Sequence, residues 1–301
     1  LVRPAPCIHP APRPLRRVGT PARPRLPLAI RSGLARARPI RPDGAADLAY
    51  RGRMDFRWGM IAEYMPLFIQ GMQMTLGITV IAVVLGTLIG LLMGMARLAE
   101  AKYGWQRYAV RFLVRLPATA YVTFFRGTPL FVQILLIHFA LMPALIHPAD
   151  GLLLSGDAAR EIRQNYGAFL SGLVALTLNA GAYITEIFRA GIQSIDRGQT
   201  EAARSLGMSY GQTMKFVIVP QAFRRMLPPL GNEAIMLLKD SSLVSAIGLA
   251  ELAFAARTVA GVYSRYWEPY LTISLVYLVL TLAMAAGVNW LEKRYQIAHH
   301  R

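Results

Sequence analysis

The chain has 301 residues, of which 54% are hydrophobic and 16% are charged, and its formal net charge is +17. Four uncharged stretches of 22 to 33 residues, at 64–96, 127–149, 164–185 and 269–291, are long enough to cross a bilayer as helices, which takes roughly 20 apolar residues. This composition excludes an ordinary soluble globule. The single cysteine, Cys7, excludes an intrachain disulfide and a cysteine-based metal site.

Residues 1–53 differ from the rest of the chain, because they hold 12 of its 33 basic residues and 10 of its 19 prolines without apolar periodicity. Such a segment cannot bury a core, so we expect a disordered basic tail. A nucleic-acid partner is not expected, because no aromatic residue precedes Tyr50 to stack on bases. A signal peptide would need an apolar core, and a transit peptide would need more serine. We interpret the tail as upstream sequence before a start at Met54, and residues 54–301 as the membrane domain.

The first predicted span covers residues 66–95, and its glycines are spaced so that another helix could pack closely against it. The segment that follows, residues 97–116, places Arg107, Arg111 and Arg115 four residues apart on one face. This pattern predicts a helix that lies on anionic membrane lipid. The glycines of the first span are Gly71, Gly77, Gly86, Gly90 and Gly94.

The second predicted span begins with a charged residue next to residues that disturb a helix. Arg126 is costly inside a membrane unless it is paired or faces a cavity, which makes it a functional candidate. Gly127, Thr128 and Pro129 then interrupt regular helical hydrogen bonding, which a membrane tolerates only where the backbone is buried or lines a cavity. The alternative is an arginine that only extends to the membrane surface.

Residues 142–166 are polar and contain proline and glycine, which predicts an extramembrane loop before a third span at about 167–192. Asn179, Tyr183 and Glu186 are four and three residues apart in this span, so they share one helical face. A polar face within a membrane points inwards. It predicts either a translocation pathway or hydrogen bonds between helices.

A polar segment broken by turns follows the third span. Thr200 is predicted to cap a short helix that starts at Glu201, and Gly207 permits the left-handed turn that ends it. A second short helix would run from Ser209 towards Pro220. Two short helices joined at a glycine form a compact projection that suits docking to another protein, whereas the alternative is an ordinary polar loop.

The fourth predicted span, residues 228–249, is interrupted by Glu233, Lys239 and Asp240. Because isolated charges are expensive near the middle of a span, we predict that Lys239 and Asp240 pair with neighbours inside the bundle and have a structural or gating role. The fifth span, residues 269–291, carries no charge.

The motif formed by Glu201-Ala202-Ala203, Gly207 and the Val-Ile-Val-Pro run that ends at Pro220 resembles the EAA loop of ABC-importer permeases. We call residues 195–220 the EAA loop. Residues 181–194 and the Arg-Gly-Thr-Pro run at 126–129 resemble the polar amino-acid (HisMQ-like) branch of that family, and the resemblance covers residues 55–295. It implies an all-α membrane protein with the type I importer fold and about five transmembrane helices.

The resemblance also implies the partners of the chain. The EAA loop would insert into a cleft on a separate ATP-binding subunit, present as a dimer, through Glu201, Ala202, Ala203, Gly207 and Pro220. A second permease copy or a sister permease and an extracytoplasmic amino-acid-binding protein would complete the importer. ATP and Mg²⁺ would be used by the ATP-binding subunit, and no cofactor is expected on this chain.

Five spans place the two termini on opposite sides of the membrane. With the EAA loop cytoplasmic, the inner segments carry 14 Lys and Arg and the outer segments carry 5, as the positive-inside rule requires. The N-terminus is then periplasmic and the C-terminus cytoplasmic, in a bacterial inner membrane. Residues 1–53 would add 12 arginines outside and reverse the count to 17 against 14, which also favours Met54 as the start.

We therefore interpret the chain as the membrane subunit of an ATP-driven importer for a polar amino acid. Arg126 would meet the substrate carboxylate and Glu186 its ammonium group, unless Glu186 pairs with Arg189. The predicted pathway consists of Arg126, Gly127, Thr128, Pro129, Asn179, Tyr183 and Glu186.

The alternative is an ion-coupled secondary carrier, which would usually show two related halves and more spans. An enzyme is not expected, because the sequence has no phosphate-binding glycine loop, nucleophile elbow or metal-ligand cluster, so no catalytic residue is predicted. His138 and His147 have no clustered carboxylate or cysteine, and no metal site is expected.

Overall fold

The structure is a computed structural model that describes residues 55–99 and 104–294. Within these ranges the chain is helical, and its only β-type pairing is an isolated bridge between Ile146 and Leu154. The interpretation of residues 1–53 and of Met54 as the start concerns residues outside the described ranges. The helices are α1 Gly59–Glu63, α2 Met65–Leu98, α3 Gly104–Gly127, α4 Leu130–Leu145, α5 Gly156–Gln193, α6 Arg197–Ser205, α7 Tyr210–Ile247, α8 Leu252–Tyr263 and α9 Trp267–Arg294.

Three described helices, α2, α5 and α9, are long and apolar enough to cross a membrane on their own. Two further pairs pass the same test together, α3 with α4 at a bend of 110° and α7 with α8 at a bend of 48°. The total reaches five spans when each bent pair counts as one. The predicted all-α membrane fold with about five spans is confirmed.

Several predicted boundaries are wrong. Helix α5 begins at Gly156 rather than near residue 167, because Asp157 in its first turn suits the positive end of the helix dipole and the helix extends beyond its apolar part. The predicted loop at 142–166 shrinks accordingly. The segment at 97–116 does not form a separate surface helix, because α3 continues through Leu116 to Gly127. Helix α8 lies between the predicted fourth and fifth spans, where no helix was predicted.

Three prolines lie just after widened, π-helical turns. Such turns cover Val110–Arg115, Ile137–Leu141 and Met214–Ile218, and each ends two residues before a proline. Proline lacks an N–H group, and its ring clashes with the carbonyl four residues earlier in an α-helix. A π turn moves that carbonyl away, so the helix continues past the proline. The three prolines are Pro117, Pro143 and Pro220.

Helices α2 and α5 pack closely along a row of glycines. A Cβ atom at Gly90 would lie 2.5 Å from Cγ2 of Ile184, so no larger residue fits without a shift. Gly86 and Gly94 are similarly close to α5, as the spacing predicted. A Cβ atom at Gly77 would have no such neighbour within 4 Å, and one at Gly71 would instead lie 3.0 Å from the backbone of Glu251.

The buried apolar side chains form two clusters. The larger one joins α2, α4, α5 and α7 and includes Ile78, Leu176 and Leu237. The smaller one joins α1 and the beginning of α2 to α8 and α9 and includes Phe68 and Leu252. Helix α2 contributes to both clusters and therefore holds them together.

The bend between α7 and α8 is stabilised by a buried carboxylate. Gly248 adopts a left-handed conformation with φ 88°, which ends α7. Glu251 then caps α8 by accepting hydrogen bonds from the backbone N–H groups of Ala253 and Phe254 at 2.9 and 2.8 Å. Thr75 of α2 and Tyr277 of α9 donate to the same carboxylate at 3.4 and 3.0 Å. The cap thus ties α8 to both neighbouring spans.

Candidate functional site

The bend between α3 and α4 lies at Thr128 and Pro129, as the sequence predicted. Thr128 is extended, with φ −120° and ψ 148°, and Pro129 has φ −64° and ψ 133°. Proline disfavours the helical conformation of the residue before it and donates no hydrogen bond. Backbone carbonyls at the end of α3 are therefore left without helical donors.

The side chain of Gln133 donates hydrogen bonds to these carbonyls. Its Nε2 atom lies 2.8 Å from the Phe125 carbonyl oxygen, 3.0 Å from the Thr128 carbonyl oxygen and 2.8 Å from the Thr128 hydroxyl. Asn179 of α5 donates to Oε1 of Gln133 at 2.9 Å and to the Phe125 carbonyl at 3.3 Å. Gln133 and Asn179 are both buried. These are the contacts expected for hydrogen bonding between helices, and a pathway role for Asn179 stays a prediction.

Arg126 lies at the end of α3 and remains partly exposed, with 44% of its side chain accessible. Its guanidinium carbon lies 5.3 Å from the ring centroid of Tyr183, which gives a cation–π contact. The guanidinium is also 3.9 Å from the carboxylate of Glu186. The structure therefore brings together three predicted pathway residues from two helices.

Arginines from three helices surround the carboxylate of Glu186. Arg189 donates to its Oε2 atom at 2.8 Å, and Arg97 of α2 contacts its Oε1 atom. Arg126 approaches the same carboxylate from α3. The predicted alternative, pairing with Arg189, is therefore present, and the carboxylate is already neutralised by cations of this chain.

The predicted pairing of Lys239 and Asp240 inside the bundle is not found. No ion pair within residues 55–99 and 104–294 includes either residue, and Lys239 is exposed. The phase of α7 explains this, because Leu237 and Leu238 are buried and direct Lys239 outwards. Glu233, two turns before Asp240, is the buried charge of this helix. A gating role for Lys239 and Asp240 stays a prediction.

The EAA loop has the predicted glycine turn but a different cap. Helix α6 begins at Arg197, because the side chain of Asp196 accepts a hydrogen bond from the N–H of Gly198 at 2.6 Å. Thr200 lies within the helix and is not the cap. Gly207 has φ 82°, as predicted for a left-handed turn. Ser209 then forms a reciprocal capping box with Gln212 at the start of α7.

The helix that begins after Ser209 does not end near Pro220. It continues through the π turn before this proline as α7, to Ile247. The EAA loop is therefore joined to the fourth span without an intervening turn.

The helices on either side of the EAA loop contact each other where the loop begins and ends. Arg225 of α7 donates to the backbone carbonyl of Ser194, at the end of α5. A Cβ atom at Gly191 would lie 2.3 Å from Cγ of Met226, so α5 and α7 are in close contact there. Within the loop Ile195, Ala203, Thr213 and Ile218 are buried, whereas most other loop residues are exposed. The exposed residues include Glu201, Ala202, Leu206, Tyr210 and Pro220.

The two histidines have separate partners. His138 lies 2.9 Å from the hydroxyl of Ser171, and His147 pairs with Asp150 at 2.5 Å. Within the described residues, no group of three or more His, Cys, Asp or Glu side chains is arranged to hold a metal ion.

Sequence reasoning did not assign a role to Gln133, Arg97 or Glu233. Gln133 lies four residues after Pro129 in an apolar run, which is a usable signal for a side chain that caps a broken helix. Arg97 is the first charge after 33 uncharged residues and was taken only as the start of the 97–116 segment. Glu233 was noticed only as an interruption of the fourth span.

Comparisons with known proteins agree with this architecture. A family model described as the binding-protein-dependent transport system inner membrane component matches residues 86–297. Over 244 residues the chain is 36% identical to the glutamine transport system permease protein of Escherichia coli strain K12, which covers 81% of this chain and 100% of that protein. It is 37% identical over 241 residues to the glutamate/aspartate import permease protein of Escherichia coli O6:H1, covering 80% and 98%.

A solved structure is also similar. An amino acid ABC transporter with histidines superposes with a TM-score of 0.66 at 38% identity, covering 80% of this chain and 100% of that chain. The identity and the coverage together show relatedness as well as a common fold.

Proposed function

The chain belongs to the family of binding-protein-dependent transport system inner membrane components, as a permease subunit of the amino-acid ABC importer type, and we propose that it forms the pathway for a polar amino acid and is driven through its EAA loop. The relatives that transport glutamine or glutamate and aspartate support this substrate class. Arg126 and Tyr183 lie beside the broken span and remain accessible to a polar ligand. Gly127, Thr128 and Pro129 would expose backbone groups to it.

The observation that carries the coupling proposal is the contact between α5 and α7 at the two ends of the EAA loop. The loop presents Glu201, Leu206 and Tyr210 outwards, and Leu206 is 84% exposed. Its two ends are held together by the hydrogen bond of Arg225 to Ser194 and by the close packing of Gly191 on Met226. A force on the exposed side is therefore transmitted to α7 and to α5, which carries Asn179, Tyr183 and Glu186 of the predicted pathway.

The proposed assembly contains two permease chains, either two copies or this chain with a sister permease, and two ATP-binding subunits. An extracytoplasmic amino-acid-binding protein would deliver the substrate, and the ATP-binding subunits would bind ATP and Mg²⁺. The charge distribution supports an inner-membrane orientation with the N-terminus outside and with the EAA loop and the C-terminus inside.

Uptake into vesicles tests the proposal. The permease is reconstituted with and without its ATP-binding subunit and supplied with binding protein and radiolabelled L-glutamine, L-glutamate or L-arginine. We expect uptake only with the ATP-binding subunit and ATP, and no loss after ionophores dissipate ion gradients. Uptake that needs a gradient but no ATP would show a secondary carrier instead.

Gly207→Val tests the EAA loop directly. A β-branched residue is strained at φ 82°, by roughly 1–2 kcal/mol, so the turn between α6 and α7 should change shape. We expect normal membrane insertion but at least a tenfold loss of ATP-driven uptake. Gly207→Asn is the matched control, because asparagine tolerates a left-handed conformation and should retain most uptake. Normal uptake by the valine variant would contradict the coupling role.

A further inference from the structure

The first half of α3 is uncovered in the described part of the chain. Residues 104–117 are exposed apart from Ala109 and Val110, which are half-buried. Trp105 is 77% exposed and Leu113 is 76% exposed. A run of exposed apolar side chains of this size marks a contact surface. Its large members are Trp105, Tyr108, Phe112, Leu113, Val114 and Leu116.

The same segment carries three arginines, Arg107, Arg111 and Arg115, which we call the arginine row. All three are exposed, and no ion pair among the residues that the structure describes includes any of them. The sequence has no Asp or Glu in residues 101–149. The row is therefore a positive surface without carboxylates of its own, and an anionic partner would complement it.

A π turn keeps the arginine row on one face of the helix. Residues four apart in a regular α-helix drift around it by about 40° per step. The wider turn at Val110–Arg115 advances each residue by a smaller angle, so the step from Arg111 to Arg115 offsets that drift. The guanidinium carbon of Arg111 lies 6.0 Å from the ring centroid of Phe112. The segment thus presents cations along one line with apolar side chains beside them.

The bend of 110° between α3 and α4 turns α3 across the spans. Along α4, Gln133 contacts Asn179 of the spanning helix α5. Further along α4, His138 contacts Ser171, which lies further back in α5. Helix α4 therefore runs antiparallel to α5, along the axis of the spans. Because of the bend, α3 runs nearly at right angles to this axis.

The end of α3 lies near one boundary of the apolar layer. Arg126 contacts Tyr183 and lies 3.9 Å from Glu186, where the uncharged run at 164–185 ends. Helix α2 ends at the same level, because Arg97 contacts Glu186. A helix that runs across the spans at this level lies between the apolar core of the membrane and its headgroups, on the side of the EAA loop.

The arginine row argues against a second copy of this chain as the partner of this surface. A two-fold contact brings the same surface of both copies together, so the two rows would face each other as like charges. Anionic phospholipid instead offers phosphate groups to the row and acyl chains to the apolar side chains. Helices with basic and aromatic residues bind at this boundary, where tryptophan and tyrosine are also enriched.

We propose that the first half of α3 lies in the headgroup layer and that the arginine row binds the phosphates of anionic phospholipid. Trp105, Phe112 and Leu113 extend into the lipid beside it. The segment is not a separate surface helix, yet it makes the lipid contact that its sequence predicts. The inference does not depend on which substrate the importer carries.

Photo-crosslinking tests the assignment. The permease is reconstituted with its ATP-binding subunit in phosphatidylcholine vesicles that contain the same small fraction of a phosphatidylglycerol probe or a phosphatidylcholine probe, each with a diazirine in its acyl chains. After illumination, chymotryptic peptides are mapped by mass spectrometry, because chymotrypsin does not cleave at arginine and therefore serves for arginine variants. We expect residues 105–116 to be labelled about tenfold more by the phosphatidylglycerol probe. Unlabelled phosphatidylglycerol should compete.

Two pairs of substitutions test the arginine row itself. Arg111→Gln with Arg115→Gln should remove most of the difference between the probes, and lysine at both positions, which keeps the charge, should retain it. Arg160→Gln with Arg163→Gln makes the same charge change at exposed positions near the start of α5 and is the control with normal labelling. ATP hydrolysis and subunit composition report on assembly of each variant.

Equal labelling of the wild-type segment by the two probes would overturn the inference, and this comparison needs no variant. Absence of labelling by both probes would show that a protein covers the segment, which also overturns it. A preference that the paired glutamine substitutions leave intact would contradict the role of the arginine row. Loss of the preference in an assembled lysine variant would show that charge is not what binds the lipid.

Discussion

The break between α3 and α4 leaves backbone carbonyls without donors, whereas the break between α7 and α8 leaves backbone N–H groups without acceptors. The first break is satisfied by neutral amide groups, mainly that of Gln133. The second is satisfied by the carboxylate of Glu251. In both places a side chain supplies what the helix has lost, as a membrane requires.

The surroundings of the two breaks differ more than their chemistry. Glu251 is completely buried, and all its partners belong to the fold. Around Thr128 the amide side chains of Gln133 and Asn179 are buried, whereas Arg126 and Pro129 are exposed. We call the break between α7 and α8 closed, because its polar groups are paired within the fold, so that it holds helices together. We call the break between α3 and α4 open, because it leaves polar groups available. This difference is why we place the substrate at the first break and assign a structural role to the second.

The largest expected effect is at the closed break. Glu251→Ala removes a helix cap and leaves two buried N–H groups unpaired, which should destabilise the fold by about 3–5 kcal/mol. We expect a clear drop in the thermal stability of the purified complex, measured by size-exclusion chromatography after heating. Glu251→Gln keeps one acceptor oxygen and should lose less. A stable alanine variant would show that the cap does not hold α8 in place.

At the open break, Gln133→Leu should have a smaller effect on stability. The substitution removes the donor for two backbone carbonyls, of which the Phe125 carbonyl still has Asn179, so we expect about 2–3 kcal/mol. Asn179→Leu alone should cost less, and the double variant should cost less than the sum of the two, because the amides bond each other. Thermal stability of all three variants checks this, and strict additivity would contradict a shared network.

Tyr183→Leu should have the smallest effect and should change transport rather than stability. The cation–π contact with Arg126 contributes about 0.5–2 kcal/mol, so we expect uptake at low substrate concentration to fall by less than about thirtyfold. Tyr183→Phe preserves the ring and should resemble the wild type. Loss of thermal stability equal to that of Gln133→Leu would mean that Tyr183 belongs to the closed part of the bundle.

Much of the architecture follows from local sequence signals. The uncharged runs predicted the long helices, Pro129 predicted the first break, and Gly207 predicted the turn of the EAA loop. Each of these depends on one residue's backbone chemistry or on the length of an apolar run. Helix α8 was missed because its cap, Glu251, is held by a distant contact with Thr75, and the early start of α5 was missed because its first turns are polar.

The polar site was harder to predict because its residues come from four helices. Arg126, Tyr183 and Glu186 were predicted together, but which charges neutralise each other depends on how the helices pack. Arg97 reaches Glu186 from α2, and no sequence spacing relates the two residues. Likewise, Lys239 and Glu233 look equivalent in sequence, and only the phase of α7 separates the exposed charge from the buried one.

The π turn before Pro220 has a consequence for the evolution of this helix. A π turn is equivalent to one inserted residue, and each residue advances an α-helix by about 100°. The turn at Met214–Ile218 therefore sets the rotational register of everything downstream relative to the EAA loop. Deleting one residue there would turn the face that carries Glu233 away from the bundle. Length variation in this short stretch is consequently constrained even though Ile218 is its only buried side chain.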